Sequence, residues 1–402
     1  MMMMAAMLLA KVLVHTAITD HFLGIHSYGG FVPQDDDYEG GSSDEEDSDE
    51  ECETSDDFQG LDALDLIDES WKVFRKTGEL SFSGICFDAK AVMYLFEQYD
   101  ILQSSEQEAI DAMDSLDPLE FGSENFRTKS VKRIEMISCN FWDVRACQYW
   151  IRLLQLIPTL EELFISGVCD AVSTGADRPA SSLLQGLCNV PSIQRLVIDT
   201  ADLRGPAVGH VMLLHLLNSP NLKELRLNSC RVDEQMLPLF CQGLQHRDHG
   251  LVRLDLDGWQ LTNEYITLIV KSLLNSKSRE TLEAIDLSNN KFLDFRAFPC
   301  LAVLLSKFPK LRELYVRNCP HLLVQDVSET MEFEVFCQAL TVNTSAEEVW
   351  FGKSLVWQPM AAKMLIALEA NKTLQILNAA GMKFSKKKKN GKMKEKVIPF
   401  HL

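Results

Sequence analysis

One eleven-residue frame constrains this chain more than any other feature of it. Leu222 to Val232 reads LKELRLNSCRV, with apolar residues at Leu222, Leu225, Leu227 and Val232 and a cysteine at Cys230. Leu225 and Leu227 alternate with polar neighbours, the period of a strand that buries one face. The same frame, LxxLxLxx(N/C)xL, starts again at Val131, Leu160, Ile193, Leu251, Leu282, Leu311, Ala346 and Leu374. The nine copies follow one another at 28 to 35 residues, most often 29, and a truncated copy sits at Leu80, Phe82 and Phe87. Even spacing of this kind specifies one supersecondary unit stacked many times.

The return leg of each unit is helical in pattern. Arg145–Leu156, Ala207–Leu217, Glu264–Leu274 and Pro359–Ala370 carry apolar residues at three- and four-residue intervals, as in Ile266, Ile269, Val270, Leu273 and Leu274. A proline or polar turn precedes the next strand at Pro158, Pro220 and Pro309. A repeat of about 29 residues with a full return helix resembles the ribonuclease-inhibitor-like subclass of leucine-rich repeats, from roughly Thr77 to Phe384. The resemblance implies an α/β fold: a horseshoe solenoid with a concave parallel sheet and helices on the convex side. Frame positions four and six point into the core, so Leu225, Leu227, Leu254, Leu256, Ile285 and Leu287 are expected to be buried. Arg226, Asp255 and Asp286, between them, are expected to be exposed. The Asn or Cys at position nine is expected to bond orphan backbone groups where the chain leaves the strand. Asn290 suits that role. Trp259 does not, and Val168, Ala201 and Met382 have nothing to bond with, so those repeats are expected to turn differently.

Charge divides the chain. Its 402 residues carry a net charge of −19, and 19 Asp and Glu lie between Lys11 and Lys72 with no Lys or Arg among them. Residues 1–57 are therefore read as a disordered N-terminal region ending in an acidic, low-complexity tail that buries too little to fold. Ser42, Ser43, Ser48 and Thr54 there each precede an acid by three positions, the pattern of acidophilic kinase sites. Residues 58–130 are read as an N-terminal cap and degenerate first repeats, with Leu61, Leu64, Ile67, Trp71 and Phe74 forming the stripe that covers the open end. Residues 131–384 are the solenoid of about nine repeats, and 385–402 a basic C-terminal tail. Lys383 to Lys396 holds eight lysines and one glutamate.

Eleven cysteines without a CxxC pair suggest free, packed thiols in a reducing compartment, cytoplasmic or nuclear. The apolar start, Met1 to Ala10, lacks a basic leader and is interrupted by Lys11. No run reaches the roughly 18 to 20 apolar residues of a membrane span.

The sequence contains no nucleophile elbow, phosphate loop or metal-binding helix. His246 and His249 are read as surface residues. The expectation is a chain that is not an enzyme, with no cofactor, no metal and no small-molecule substrate. Function then falls on the outward-facing positions of the concave strands. The middle file reads Glu135, Phe164, Val197, Arg226, Asp255, Asp286, Tyr315, Trp350 and Asn378. Beside it run Ile137, Ser166, Asp199, Asn228, Asp257, Ser288, Arg317, Gly352 and Ala380. Asp255, Asp257 and Asp286 next to Tyr315 and Trp350, with Arg226 and Arg317 at the margins, have a common hot-spot composition. They are the candidate site for a protein partner with a basic patch. The favoured reading is a monomeric protein-interaction scaffold, with neither membrane nor nucleic acid as partner. A GTPase activator like the Ran activator, and a substrate-recognition subunit of a ubiquitin ligase, are the alternatives.

Overall fold

The structure is a computed structural model. It describes residues 63–77, 79–98, 131–141, 144–167, 190–201, 219–322, 330–352, 358–379, 382–389 and 392–396, with 186–187, 203–204, 210 and 216 between them. The acidic segment with its kinase-type sites, the irregular stretch 99–130 and the expected helix Ala207–Leu217, apart from its residues 210 and 216, lie outside these.

Each repeat frame becomes a strand. β1 (Leu80–Ser83), β3 (Arg133–Ile137), β5 (Glu162–Ser166), β6 (Arg195–Asp199) and β7 (Glu224–Asn228) pair in parallel, each with the next. β8 (Arg253–Asp255), β9 (Ala284–Asp286), β10 (Glu313–Tyr315), β11 (Glu348–Gly352) and β12 (Ile376–Ala379) continue the same sheet. A small second sheet pairs β2 (Cys86–Phe87) with β4 (Asn140–Phe141). The register keeps frame positions aligned across the parallel strands, apart from one slip at Gly352 where β11 pairs with β12, so apolar residues at positions four and six stack into two rows.

Those rows are the core. Leu225, Leu227, Leu254, Leu256, Ile285 and Leu287 are all buried, as the frame requires. The return legs supply the other wall: α1 (Ala63–Thr77), α2 (Ala89–Gln98), α3 (Val144–Gln155), α4 (Met236–His246), α5 (Asn263–Leu274), α6 (Phe298–Lys307), α7 (Met331–Val342) and α8 (Gln358–Ala370). Ile266, Ile269, Val270 and Leu273 of α5 are buried, and Thr262 caps it by accepting the Tyr265 N–H. At the N-terminal end α1 packs on β1 and contributes Ile67, Trp71 and Phe74 to the same core. The described residues form an α/β leucine-rich-repeat solenoid.

The chain leaves the seven strands β3 and β5 to β10 through a left-handed residue at frame position eight. Ser138, Gly167, Thr200, Ser229, Gly258, Asn289 and Asn318 have φ between 51° and 72°. Position nine then turns inward and bonds the position-six carbonyl of the preceding strand. Cys139, Cys230 and Cys319 donate S–H to the carbonyls of Phe82, Ile198 and Leu287 at 3.5–3.6 Å. Asn290 Nδ2 donates to Leu256 at 3.1 Å, and its Oδ1 accepts the Leu261 N–H. Trp259 does the same work: it is buried, and its indole N–H donates to the Leu227 carbonyl at 2.6 Å. This corrects the expectation that Trp259 is out of place, since an indole N–H is as good a donor as an amide. Ala201 supplies no such donor, and its backbone carbonyl instead accepts the Arg231 N–H at 2.9 Å. Val168 lies outside the described residues.

The lysine run also differs from its expectation as a tail from residue 385. β13 (Met382–Lys389) pairs antiparallel with β12, and β14 (Lys392–Lys396) pairs antiparallel with β13. Asn390-Gly391, the two residues between them in the sequence, form one of the strongest short hairpin signals. That signal competes with the like-charge repulsion on which the tail reading rests.

Candidate functional site

Three files of side chains alternate with the two core rows and form the exposed face of the sheet. The sequence reading took up two of them. The third, at frame position three, runs Arg133, Glu162, Arg195, Glu224, Arg253, Ala284, Glu313 and Glu348 in register. Its signs alternate through the first five members. Opposite charges one strand spacing apart, about 4.8 Å, can pair along the whole file. Arg195 does so in both directions, donating to Glu162 at 2.9 Å and to both Glu224 oxygens at 2.8 and 3.0 Å. Glu224 is partly desolvated, but hydrogen bonds from Arg195 and Arg226 outweigh that burial and hold its carboxyl below the ordinary range.

This file decides the fate of the central aspartate. Asp255 is 4% exposed and not the surface acid expected. Arg253 Nε lies 2.9 Å from its Oδ2, and Arg226 Nε reaches within 3.6 Å from the neighbouring strand. A short carboxylate between two long guanidinium side chains is covered by them. Burial raises its pKa to about 6 despite both cations. Arg226 and Asp286 are likewise half-buried, not exposed; Arg226 donates to Glu224 Oε2 at 2.7 Å, and Asp286 Oδ1 accepts the Ser288 N–H at 2.8 Å. The buried Arg226 Nε has no hydrogen-bond acceptor.

Asp257 stays at the surface in part. It accepts from Asn289 Nδ2 at 2.6 Å, and Asn289 in turn accepts from Asn318 Nδ2 at 2.8 Å, a ladder along the left-handed turn residues. Burial, and then the like charges of Asp286 and Asp199, raise the Asp257 pKa. Asp199, Asp257 and Asp286 thus form one acidic edge, in which Asp199 was in a noted file but left out of the predicted site.

The structure brings Tyr315 and Trp350 together, and it places Arg317, expected at the margin, against both rings. The two rings lie 6.3 Å apart and nearly parallel, at 29°. The Arg317 guanidinium carbon lies 4.5 Å from the Tyr315 centroid and 5.2 Å from that of Trp350. The polar tips of both rings bond glutamates of the position-three file: Tyr315 OH donates to Glu313 at 3.1 Å, and Trp350 Nε1 to Glu348 at 2.9 Å. Burial, then Glu313, pushes the Tyr315 hydroxyl up to about 12. Arg253 completes the group, donating to Glu313 at 3.3 Å with its guanidinium 5.8 Å from the Tyr315 centroid. Every ring is therefore oriented before anything binds.

Among the described residues no three His, Cys, Asp or Glu side chains converge as a metal site, and no helix is long and apolar enough to cross a membrane. His246 and His249 are exposed.

No protein-family model matches the chain. Among curated proteins, ribonuclease inhibitor of Sus scrofa is 31% identical over 144 residues, 36% of this chain and 30% of that protein. The match thus spans less than a third of the relative's length, and it agrees with the fold in identifying leucine-rich repeats.

Proposed function

We propose that this chain is a non-enzymatic scaffold that binds a protein partner on the C-terminal half of its concave sheet. The observation that carries the reading is the preorganised Tyr315–Arg317–Trp350 group beside the acidic edge of Asp199, Asp257 and Asp286. Aromatic side chains already fixed by their neighbours lose little conformational freedom on binding, which is the condition for a hot spot. The acids select a partner with a basic patch and speed its encounter. The similar protein is by name an inhibitor of another protein, which supports a binding role for repeats of this type. Burial drives the thiols of Cys147, Cys230, Cys241, Cys319 and Cys337 up to about 12, and such thiols make poor nucleophiles.

Asp255 leaves the proposed contact surface and becomes its support, because a carboxylate under two arginines cannot meet a partner directly. From Asp199 on β6 to Trp350 on β11 the patch crosses six strands, roughly 24 Å at about 4.8 Å per strand. A standard interface needs about 800 Å² per partner, so neighbouring repeats contribute contact area as well. The test is capture of partners from cell extract by the intact chain and by Trp350→Ala combined with Asp257→Lys and Asp286→Lys. A partner lost with the variant, at unchanged melting temperature, supports the site. Equal capture by both proteins contradicts it.

A further inference from the structure

The geometry points to Arg317 as a carboxylate receptor, so that the bound segment carries an acidic residue beside its basic ones; this rests on the concave-face reading above. Five arginines line the described concave face. Arg133 pairs with Glu135, Arg195 with Glu162 and Glu224, Arg226 with Glu224, and Arg253 with Asp255 and Glu313. Arg317 alone of the five has no carboxylate within 4.0 Å among the described residues, the charge of Asp257 acting on it only from further away, and it is exposed.

It is nevertheless held in place. Its backbone N–H donates to the buried Ser288 hydroxyl at 3.0 Å. Its guanidinium lies against both aromatic rings. Gly352, at φ +62° on the next strand, gives it room: a Cβ there would meet the Arg317 Cβ at 2.9 Å and Cγ at 3.1 Å. A planar fork that is positioned, exposed and unpaired suits bidentate binding of a carboxylate or a phosphate.

The surrounding field chooses between the two. Asp199, Asp257 and Asp286 lie to one side, and Glu313 and Glu348 hold the ring tips. This negative surround opposes a phosphate, which carries close to two charges, more than a carboxylate, which carries one. The same acids draw basic side chains to β8 and β9, one to two strand spacings from Arg317, or about 5–10 Å. An extended chain rises about 3.4 Å per residue. The partner chemistry is therefore an extended protein segment with basic residues two or three positions from a carboxylate.

The test is fluorescence anisotropy with a labelled peptide bearing two lysines and, two residues further on, a glutamate. Matched peptides carry glutamine or phosphoserine in place of the glutamate. The intact chain is expected to bind the glutamate peptide about tenfold tighter than the glutamine peptide. Arg317→Gln should erase that difference, and Arg317→Lys should restore only part of it, because lysine keeps the charge and loses the fork. Both changes lie at an exposed position, and unchanged melting temperatures verify folding. Equal binding of the glutamate and glutamine peptides, with binding still weakened by Asp257→Asn and Asp286→Asn, overturns the receptor role and leaves the concave-face reading standing. Tighter binding of the phosphoserine peptide overturns the assignment to a carboxylate. If no peptide binds at millimolar concentration, or if the two aspartate changes leave binding untouched, the docking reading fails and the receptor role with it.

Discussion

The two ends of the concave sheet share a core and differ in what they show to solvent. From β3 to β6 the middle file is Glu135, Phe164 and Val197, and Val197 is itself buried among its neighbours. From β8 to β11 it is Asp255, Asp286, Tyr315 and Trp350, with Arg253 holding Asp255 and with Glu313 and Glu348 holding the two ring tips. Beneath both, positions four and six are buried apolar side chains in unbroken rows. The scaffold rows are uniform because every repeat must bury the same face. The outward files are free to differ, and the proposed partner site uses that difference at the C-terminal end.

A common core makes the largest prediction. Ile198→Ala in β6 and Leu256→Ala just after β8 should each cost about 2–5 kcal/mol, the usual range for large-to-small core changes. Both side chains are almost fully buried, so chemical denaturation should give similar losses at the two ends. A loss well below 1 kcal/mol at either end would break the comparison at its base.

Next in size is the pH dependence of Asp255. Its folded pKa of about 6 lies above the ordinary 3.8, so its contribution to stability is full below about pH 4 and is lost as pH rises through 6. Asp255→Asn removes that titration. Between pH 4 and pH 7.5 the variant should gain on the wild type by about 2–3 kcal/mol, at 1.36 kcal/mol per pKa unit. A difference between the two proteins that stays flat across this range would mean that Asp255 is solvated like an ordinary surface acid.

Two smaller effects sharpen the contrast. Trp259→Phe keeps a ring but strips the Leu227 carbonyl of its donor, which should cost about 1–3 kcal/mol for an unsatisfied buried group. Trp350→Ala should weaken the captured partner by about 2 kcal/mol or more, the hot-spot threshold, with little loss of stability. Phe164→Ala, in the same file at the other end, should change that affinity by less than the Trp350 change. Isothermal titration with all three proteins checks the order.

Much of this was legible in the sequence. The frame gave the strands and their buried apolar positions, because two core rows with period two leave little freedom, and the three- and four-residue periodicity gave the α3, α5 and α8 segments to within a residue or two. The neighbouring of Tyr315 and Trp350 was legible too, since aligned frame positions become neighbours across adjacent strands, whereas Arg317 was placed at the margin and not against the rings. The burial of Asp255 was not foreseen, because it depends on the length of arginine side chains one file away. Reading the position-three file, with its alternating signs at Arg133, Glu162, Arg195, Glu224 and Arg253, would have revealed the cover. Trp259 was misjudged by residue type, although its indole N–H satisfies the same carbonyl as Asn or Cys. The β13–β14 hairpin was missed because composition was weighed above the Asn390-Gly391 turn signal.

The central claim is that the partner meets the sheet and not the helices. The helices offer a real competitor, since Leu268 of α5 is 44% exposed and Ile366 of α8 is 66% exposed. Photo-cross-linking decides between the two faces. A photoreactive phenylalanine analogue is placed at Asn228, between Asp199 and Asp257 on the sheet, and separately at Leu268 and at Ile366. Each protein is then irradiated with the captured partner. A cross-linked product is expected from Asn228 and none from the two helix positions. A product from Leu268 or Ile366, with none from Asn228, would contradict the claim.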